Sequence, residues 1–213
     1  MKTILIRNNN SNDLIVYLSG WGCDGVQFKN MTSSKNVLIC WDYTDLDFEF
    51  DFSKFENIDL ITYSAGVFIA GLVKDKFPKF NYKVAINGNP LIFDKYFGAI
   101  SSVVAVLSDV NPDNYMDFRR NYLVVNEEQL EEFNANAPER SFESCNAEFH
   151  KLVEYSSKKY DIMEYDKAIL SDSDKIFNLD HQKEYYKGKY VILKGYGHDV
   201  FGFFKSYDDI INY

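Results

Sequence analysis

Asp59-Leu60-Ile61-Thr62-Tyr63-Ser64-Ala65-Gly66-Val67-Phe68-Ile69-Ala70-Gly71 is the stretch on which the reading of this chain turns. Leu60 to Tyr63 has the length and apolar character of a buried strand, and the apolar run from Ala65 to Phe77 reads as a buried helix. Ser64 stands between them. A serine there sits where the chain must reverse within a few residues, so its backbone is strained and its neighbours must be small. The usual form of this turn is the G-x-S-x-G nucleophile elbow. Here Thr62-Tyr63-Ser64-Ala65-Gly66 keeps the second glycine and carries the larger Thr62 at the first position. Ser-x-Gly by itself marks a turn more often than a nucleophile. The stronger reading therefore depends on the strand–Ser–helix setting and on two further sites that the same chemistry requires.

Upstream, Thr3 to Ile6 and Leu14 to Leu18 read as strands separated by the polar cluster Asn8 to Asp13, and an antiparallel hairpin is expected. Ser19-Gly20-Trp21-Gly22-Cys23-Asp24-Gly25 follows, a glycine-rich loop whose backbone N–H groups can face a ligand. Glycines alone mark a tight turn, but an exposed Trp21 among them calls for a surface to cover. Val37 to Trp41 is a third strand. Asp42 to Asn57 alternates acidic and aromatic residues and reads as a solvated crossover with one helical turn near Ser53. Downstream of the elbow, Tyr82 to Ile86 is another strand, ending in Asn87-Gly88-Asn89-Pro90. Strands alternating with helices or crossovers imply a largely parallel sheet covered on both faces. Ligands bind such sheets outside the carboxyl ends of the strands, where Gly20–Gly22, Ser64 and Asn87–Pro90 would converge.

From Asp94 to Tyr165 the alternation breaks. Val103 to Leu107 fits helix or strand, and Asn111-Pro112 looks like a helix start with proline at the first helical position. Amphipathic stretches follow at 114–124, 126–134 and 141–156. The expected division is a core of residues 1–93 and 166–213 with a helical cap insertion at 94–165, one domain overall. Arg119 and Arg120 stand together in the cap, with Arg140 further along. They read as a solvated helix face or, more sharply, as a docking patch for an acidic partner. The alternation then resumes with Lys167 to Leu170, the loop Ser171-Asp172-Ser173-Asp174-Lys175, a helix over Leu179 to Tyr186, a strand over Tyr190 to Leu193, the loop Gly195 to Asp199, and a closing helix over Val200 to Tyr213.

The formal net charge of −9 argues against a nucleic-acid surface, which needs a basic face. With 213 residues, 46% of them apolar, the chain has material for one substantial core. Cys23, Cys40 and Cys145 lie far apart without metal-type pairing, so a reduced, cytoplasmic protein with no metal or other cofactor is expected. The apolar run at the N-terminus is too short for a signal peptide, and no stretch has the length of a membrane span.

A serine hydroxyl needs a base, and the base needs a carboxylate to fix its tautomer. Of the histidines, His150 lies on a cap helix and His181 opens a helix. His198 alone follows the last strand in a glycine-flanked loop on the catalytic edge. The order Ser64, then an aspartate after the next-to-last strand, then His198 is that of α/β-hydrolases. Asp172 and Asp174 compete for the acid. Asp174, followed by a basic and an apolar residue and then a helix, is preferred. The N–H groups of Trp21 and Ala65 would form the oxyanion hole.

Gly20-Trp21-Gly22, Tyr63-Ser64-Ala65-Gly66, Asn87-Gly88 with Pro90, Asp174-Lys175-Ile176-Phe177 and Gly197-His198 together resemble the BioG family, pimeloyl-[acyl-carrier protein] methyl ester esterases of biotin biosynthesis. The resemblance spans nearly the whole chain and is loose in the cap. It implies an α/β-hydrolase fold and a serine carboxylesterase that hydrolyses the methyl ester of a pimeloyl chain held by acyl-carrier protein. Cap arginines engage the carrier protein in the functionally similar BioH esterases, so Arg119 and Arg120, with Trp21, are the candidates for carrier-protein or substrate binding. Two alternatives stand beside this reading: a general small-acyl esterase or thioesterase with the same triad, and a catalytically silent acyl-binding protein of the same fold.

Overall fold

The computed structural model describes residues 1–28 and 30–213. Seven strands form one sheet: β1 (Lys2–Ile6), β2 (Leu14–Leu18), β3 (Asn36–Trp41), β4 (Ile58–Tyr63), β5 (Lys83–Ile86), β6 (Lys167–Ser171) and β7 (Tyr190–Leu193). Their spatial order is β1-β3-β2-β4-β5-β6-β7, parallel throughout except for β1, which runs antiparallel to β3. The expected hairpin is therefore absent: β1 pairs with β3, in the register Ile4↔Ile39, and not with β2. Burial explains the choice. All five residues of β2 are buried, which suits a central strand with partners on both edges, whereas the half-exposed pattern of β1 suits an edge. The polar cluster after β1 is held by Asn36, whose side chain accepts the Asn8 N–H and donates to the carbonyls of Ser11 and Asp13.

Alternation along β2 divides the core. Leu14, Val16 and Leu18 face Val67 and Ala70 of α1 (Ala65–Leu72) and Tyr186 of α6 (Leu179–Tyr186). Ile15 and Tyr17 face Phe28, Phe204 and the residues Tyr207 and Ile210 of α7 (Tyr207–Asn212). Helix α1 is shorter than the apolar run to Phe77 suggests, because exposed Lys74, Asp75 and Lys76 form a separate 3₁₀ turn. The closing helix is shorter too. It begins only where Ser206 and Asp209 cap each other reciprocally, and residues 200–203 form a turn closed by the Phe203 N–H on Val200 O.

Between β5 and β6 lie α2 (Ser101–Asp109), α3 (Tyr115–Phe118) continued by a π-helical segment (Arg119–Leu123), α4 (Glu127–Ala135) and α5 (Phe142–Ser156). The ambiguous run Val103 to Leu107 is helical. Pro112 does not open a helix. The Asn111 side chain accepts the N–H groups of Asp113 and Asn114, closing a turn, and α3 starts at Tyr115. Asn126 and Ser141 cap α4 and α5 as side-chain acceptors for Gln129 N–H and Ser144 N–H. Among the described residues, no helix is long and apolar enough to cross a membrane.

Candidate active site

Ser64 sits at the junction of β4 and α1 with φ 52° and ψ −120°, a conformation that side-chain-bearing residues adopt rarely. The surroundings hold it there. Its N–H donates to Ile86 O across the sheet at 2.9 Å. A Cβ on Gly66 would strike the carbonyl oxygen of Leu18 and meet that of Ser19 at 2.6 Å, so only glycine lets α1 start this close to the end of β2. Thr62, the departure from the usual motif, is fully buried. Its hydroxyl lies 3.3 Å from Val84 O and 3.1 Å from the hydroxyl of Tyr165, which donates to Val67 O in α1 at 3.2 Å. The larger residue thus fits because its polar atom is satisfied beneath the elbow.

His198 Nε2 lies 2.9 Å from Ser64 Oγ, and His198 Nδ1 lies 3.1 and 3.0 Å from the two carboxylate oxygens of Asp174. A carboxylate only accepts, so Nδ1 carries the proton and Nε2 is left to accept from the serine hydroxyl. The imidazole is buried between the rings of Tyr63 and Phe177. Asp174 is fixed in turn, accepting the N–H groups of Ile176 and Phe177 at 2.7 and 3.2 Å. Asp172 is exposed and turned away, accepting the Gly195 N–H. Asp199, next to His198, accepts the Phe201 N–H, and burial pushes its carboxyl up to about 7. His150 is exposed on α5, and His181 stacks on Tyr96.

Asn87 was legible in the sequence as part of a turn on the ligand edge, with no role of its own. It adopts φ 40° just after β5, and its amide donates to Ser171 Oγ and His198 O, both at 2.8 Å, and accepts the Ser171 N–H at 2.8 Å. One side chain so ties the end of β6 to the histidine loop. Asparagine at a strand end is the available signal, since it tolerates positive φ and bonds locally. Asn87→Ala strands buried donors and acceptors, and chemical denaturation should show a loss of about 2 kcal/mol. The kcat for ester hydrolysis should fall more than KM rises. An unchanged midpoint and kcat would show that the loop holds itself.

Ser64 and His198 open into a cavity with an empty volume of about 750 Å³, including its mouth. Its walls are mostly apolar, among them Ile92, Leu107, Phe118, Phe149 and Phe177. Trp21 and Ala65 line the same cavity, and among the described residues neither backbone N–H donates elsewhere. Trp21 finds the surface its exposure called for: its ring meets Phe118 and Phe149 edge-on, and its indole N–H donates to Cys145 O at 2.7 Å.

The arginines separate. The Arg119 guanidinium is buried over the Tyr115 ring, 4.3 Å from its centroid, and donates to Asn134 Oδ1. Arg120 is half-exposed and paired with Glu127 at 2.9 Å and Asp117 at 3.8 Å. Arg140 is not on a docking face at all; it is buried between Glu148 and Asp42, at 2.6 and 3.2 Å. Sequence reasoning missed Glu148, whose backbone partners, the N–H groups of Gly22 and Tyr43, lie 126 and 105 residues away.

A parallel sheet with one antiparallel edge, a serine at a strained strand–helix turn, and a histidine after the last strand define an α/β-hydrolase. The chain belongs to the family described as "Pimeloyl-ACP methyl esterase BioG", which matches residues 1–210, and is thereby a carboxylic ester hydrolase by family. The crystal structure of BioG from Haemophilus influenzae superposes with a TM-score of 0.86 at 25% identity, covering 99% of this chain and 100% of that one. A lipase-esterase related protein from Clostridium acetobutylicum shares the fold, with a TM-score of 0.61 at 16% identity over 92% of this chain and 91% of that one. In sequence, 177 residues are 29% identical to a malonyl-[acyl-carrier protein] O-methyltransferase of Bacteroides fragilis, spanning 81% of this chain and 36% of that protein.

Proposed function

We propose that the protein is a serine carboxylesterase acting through an acyl-enzyme on the methyl ester of pimeloyl-[acyl-carrier protein]. The observation that carries this reading is the unbroken hydrogen-bonded line from Ser64 Oγ through His198 to Asp174, opening into an apolar cavity. His198 Nε2 takes the serine proton as Oγ attacks the ester carbonyl, and Asp174 stabilises the imidazolium. The N–H groups of Trp21 and Ala65 receive the oxyanion, each worth roughly 3 kcal/mol in the transition state. His198 returns the proton to the leaving methoxide, releasing methanol. It then activates a water that frees the acid and restores Ser64. Apolar walls favour a neutral ester over a free carboxylate, whose charge is costly to desolvate, so the product is poorly retained. In this reading residues 94–165 form the cap over a core of 1–93 and 166–213, and the enzyme works in the cytoplasm beside its carrier-bound substrate.

One observation favours the general-esterase alternative. Carrier proteins are acidic and this chain has a net charge of −9, yet the exposed cap arginine, Arg120, is already answered by two carboxylates. The same pimeloyl methyl ester should therefore be offered on acyl-carrier protein and on free pantetheine. A kcat/KM at least ~10-fold higher on the carrier protein is expected, with KM for the carrier-bound ester rising in Arg120→Glu at low salt, where charge steering is strongest. Equal rates on both substrates would make this a general esterase. No turnover of either would leave the silent acyl-binding reading.

A further inference from the structure

We propose that Glu148 of the cap helix is a positioning residue for the oxyanion-hole amide of Trp21, holding the loop after β2 in its active shape; this rests on the serine-esterase reading above. Glu148 is fully buried, and each of its carboxylate oxygens is committed. Oε2 accepts the Gly22 N–H at 3.0 Å, and Oε1 accepts the Tyr43 N–H at 2.8 Å. Arg140 Nη1 reaches Oε2 at 2.6 Å and also the Cys23 carbonyl at 3.4 Å. Tyr43 in turn donates its hydroxyl to Ser19 O at 2.8 Å. The loop from Ser19 to Cys23 is therefore gripped on both sides of Trp21 by a network centred on one cap carboxylate.

The geometry of the peptide units gives this grip its consequence. The Gly22 N–H belongs to the peptide that follows Trp21, and Gly22 itself turns the chain at φ 72°. With that peptide held by Glu148 and the indole held by Cys145 O, the φ and ψ of Trp21 have little freedom left. The Trp21 N–H, which donates to no other group among the described residues, is then fixed before the substrate arrives. Preorganised donors of this kind stabilise charge in the transition state without reorganising at the moment of reaction. A buried ion pair is a poor way to gain stability, because desolvation of both charges offsets their attraction. Apolar side chains would fasten the cap to the core at least as well. What they could not do is accept two specific N–H groups.

That contrast supplies the test. Replacing the pair together, Arg140→Met with Glu148→Met, should leave the fold intact, since exchanging both members of a buried pair for apolar residues is often neutral. Asp42, the other partner of Arg140, keeps Lys2 at 2.9 Å and the Thr44 hydroxyl at 2.7 Å. The Gly22 and Tyr43 N–H groups then lose their acceptor. The expected result is a kcat about 100-fold lower with KM within about threefold, the signature of losing one oxyanion donor. Affinity for an alkyl boronic acid, which mimics the tetrahedral intermediate on Ser64, should fall in step with kcat/KM. Glu148→Gln keeps one acceptor oxygen for two amides and should give a smaller loss of the same kind. If the double variant folds and keeps kcat within threefold of wild type, or if its losses lie in KM alone, Glu148 only joins cap to core. Should the double variant fail to fold, Glu148→Gln decides by the same criterion. Failure of the esterase reading itself is separate: the wild-type protein would then neither turn over ester nor bind the boronate through Ser64.

Discussion

Ser64→Ala is expected to lower ester hydrolysis by about three to six orders of magnitude, with an unchanged thermal midpoint. Alanine removes one hydroxyl from a residue whose backbone is fixed independently by Ile86 O and by the approach of Gly66 to β2. His198 keeps its bond to Asp174, so the base stays in place with nothing to activate. Some hydrolysis above background should persist, because the proposed oxyanion donors, the Trp21 and Ala65 N–H groups, and the apolar cavity can still gather ester and water. A fluorophosphonate should label the wild-type protein at Ser64 and leave the variant untouched, as read by mass spectrometry of the labelled peptide. Undiminished labelling of the variant would place the nucleophile elsewhere.

Asp174→Asn should cost about four decades in kcat, whereas Asp172→Asn should change it by less than about threefold. The amide at 174 can present its NH₂ to His198 Nδ1, forcing the proton onto Nε2, where it faces the serine with the wrong polarity. The backbone N–H groups of Ile176 and Phe177 still find the amide oxygen, so the loop keeps its shape and the loss is one of tautomer. At Asp172 the carboxylate serves the Gly195 N–H in solvent, a role that asparagine's oxygen also fills. Side-by-side kinetics of the two variants read the difference directly. The opposite ranking would mean that the histidine loop rearranges when substrate binds.

Local pattern carried much of this. Strand positions and the helix from Leu179 to Tyr186 follow from short-range periodicity, and the structure reproduces them closely, while the helix after Ser64 starts where the pattern put it but ends at Leu72, short of Phe77. Asp174, preferred over Asp172 for the residues after it, is the one whose carboxylate lies beside His198 Nδ1. Pairing between distant segments was not legible: β1 chose β3 over its neighbour in sequence because burial of the whole sheet decided the partner. Glu148 and Arg140 were opaque for the same reason, as no spacing on α5 announces amides on two loops of the core. The arginines show a signal that was present and unused. Adjacent residues on a helix point roughly 100° apart, so Arg119 and Arg120 could not share one outward face.

The fastening of α5 to the loops after β2 and β3 bears on how such proteins diversify. A segment joined to the rest of a chain only at its two ends can be traded like a cassette. The segment between β5 and β6 cannot, since a crossover at its boundaries would part Glu148 and Arg140 from the Gly22, Cys23 and Tyr43 groups they serve. The unit that must be inherited together is discontinuous, comprising the loops after β2 and β3 and the α5 region between β5 and β6. Recombination of this chain is thus constrained less by where its segments begin and end than by which distant residues share a hydrogen bond.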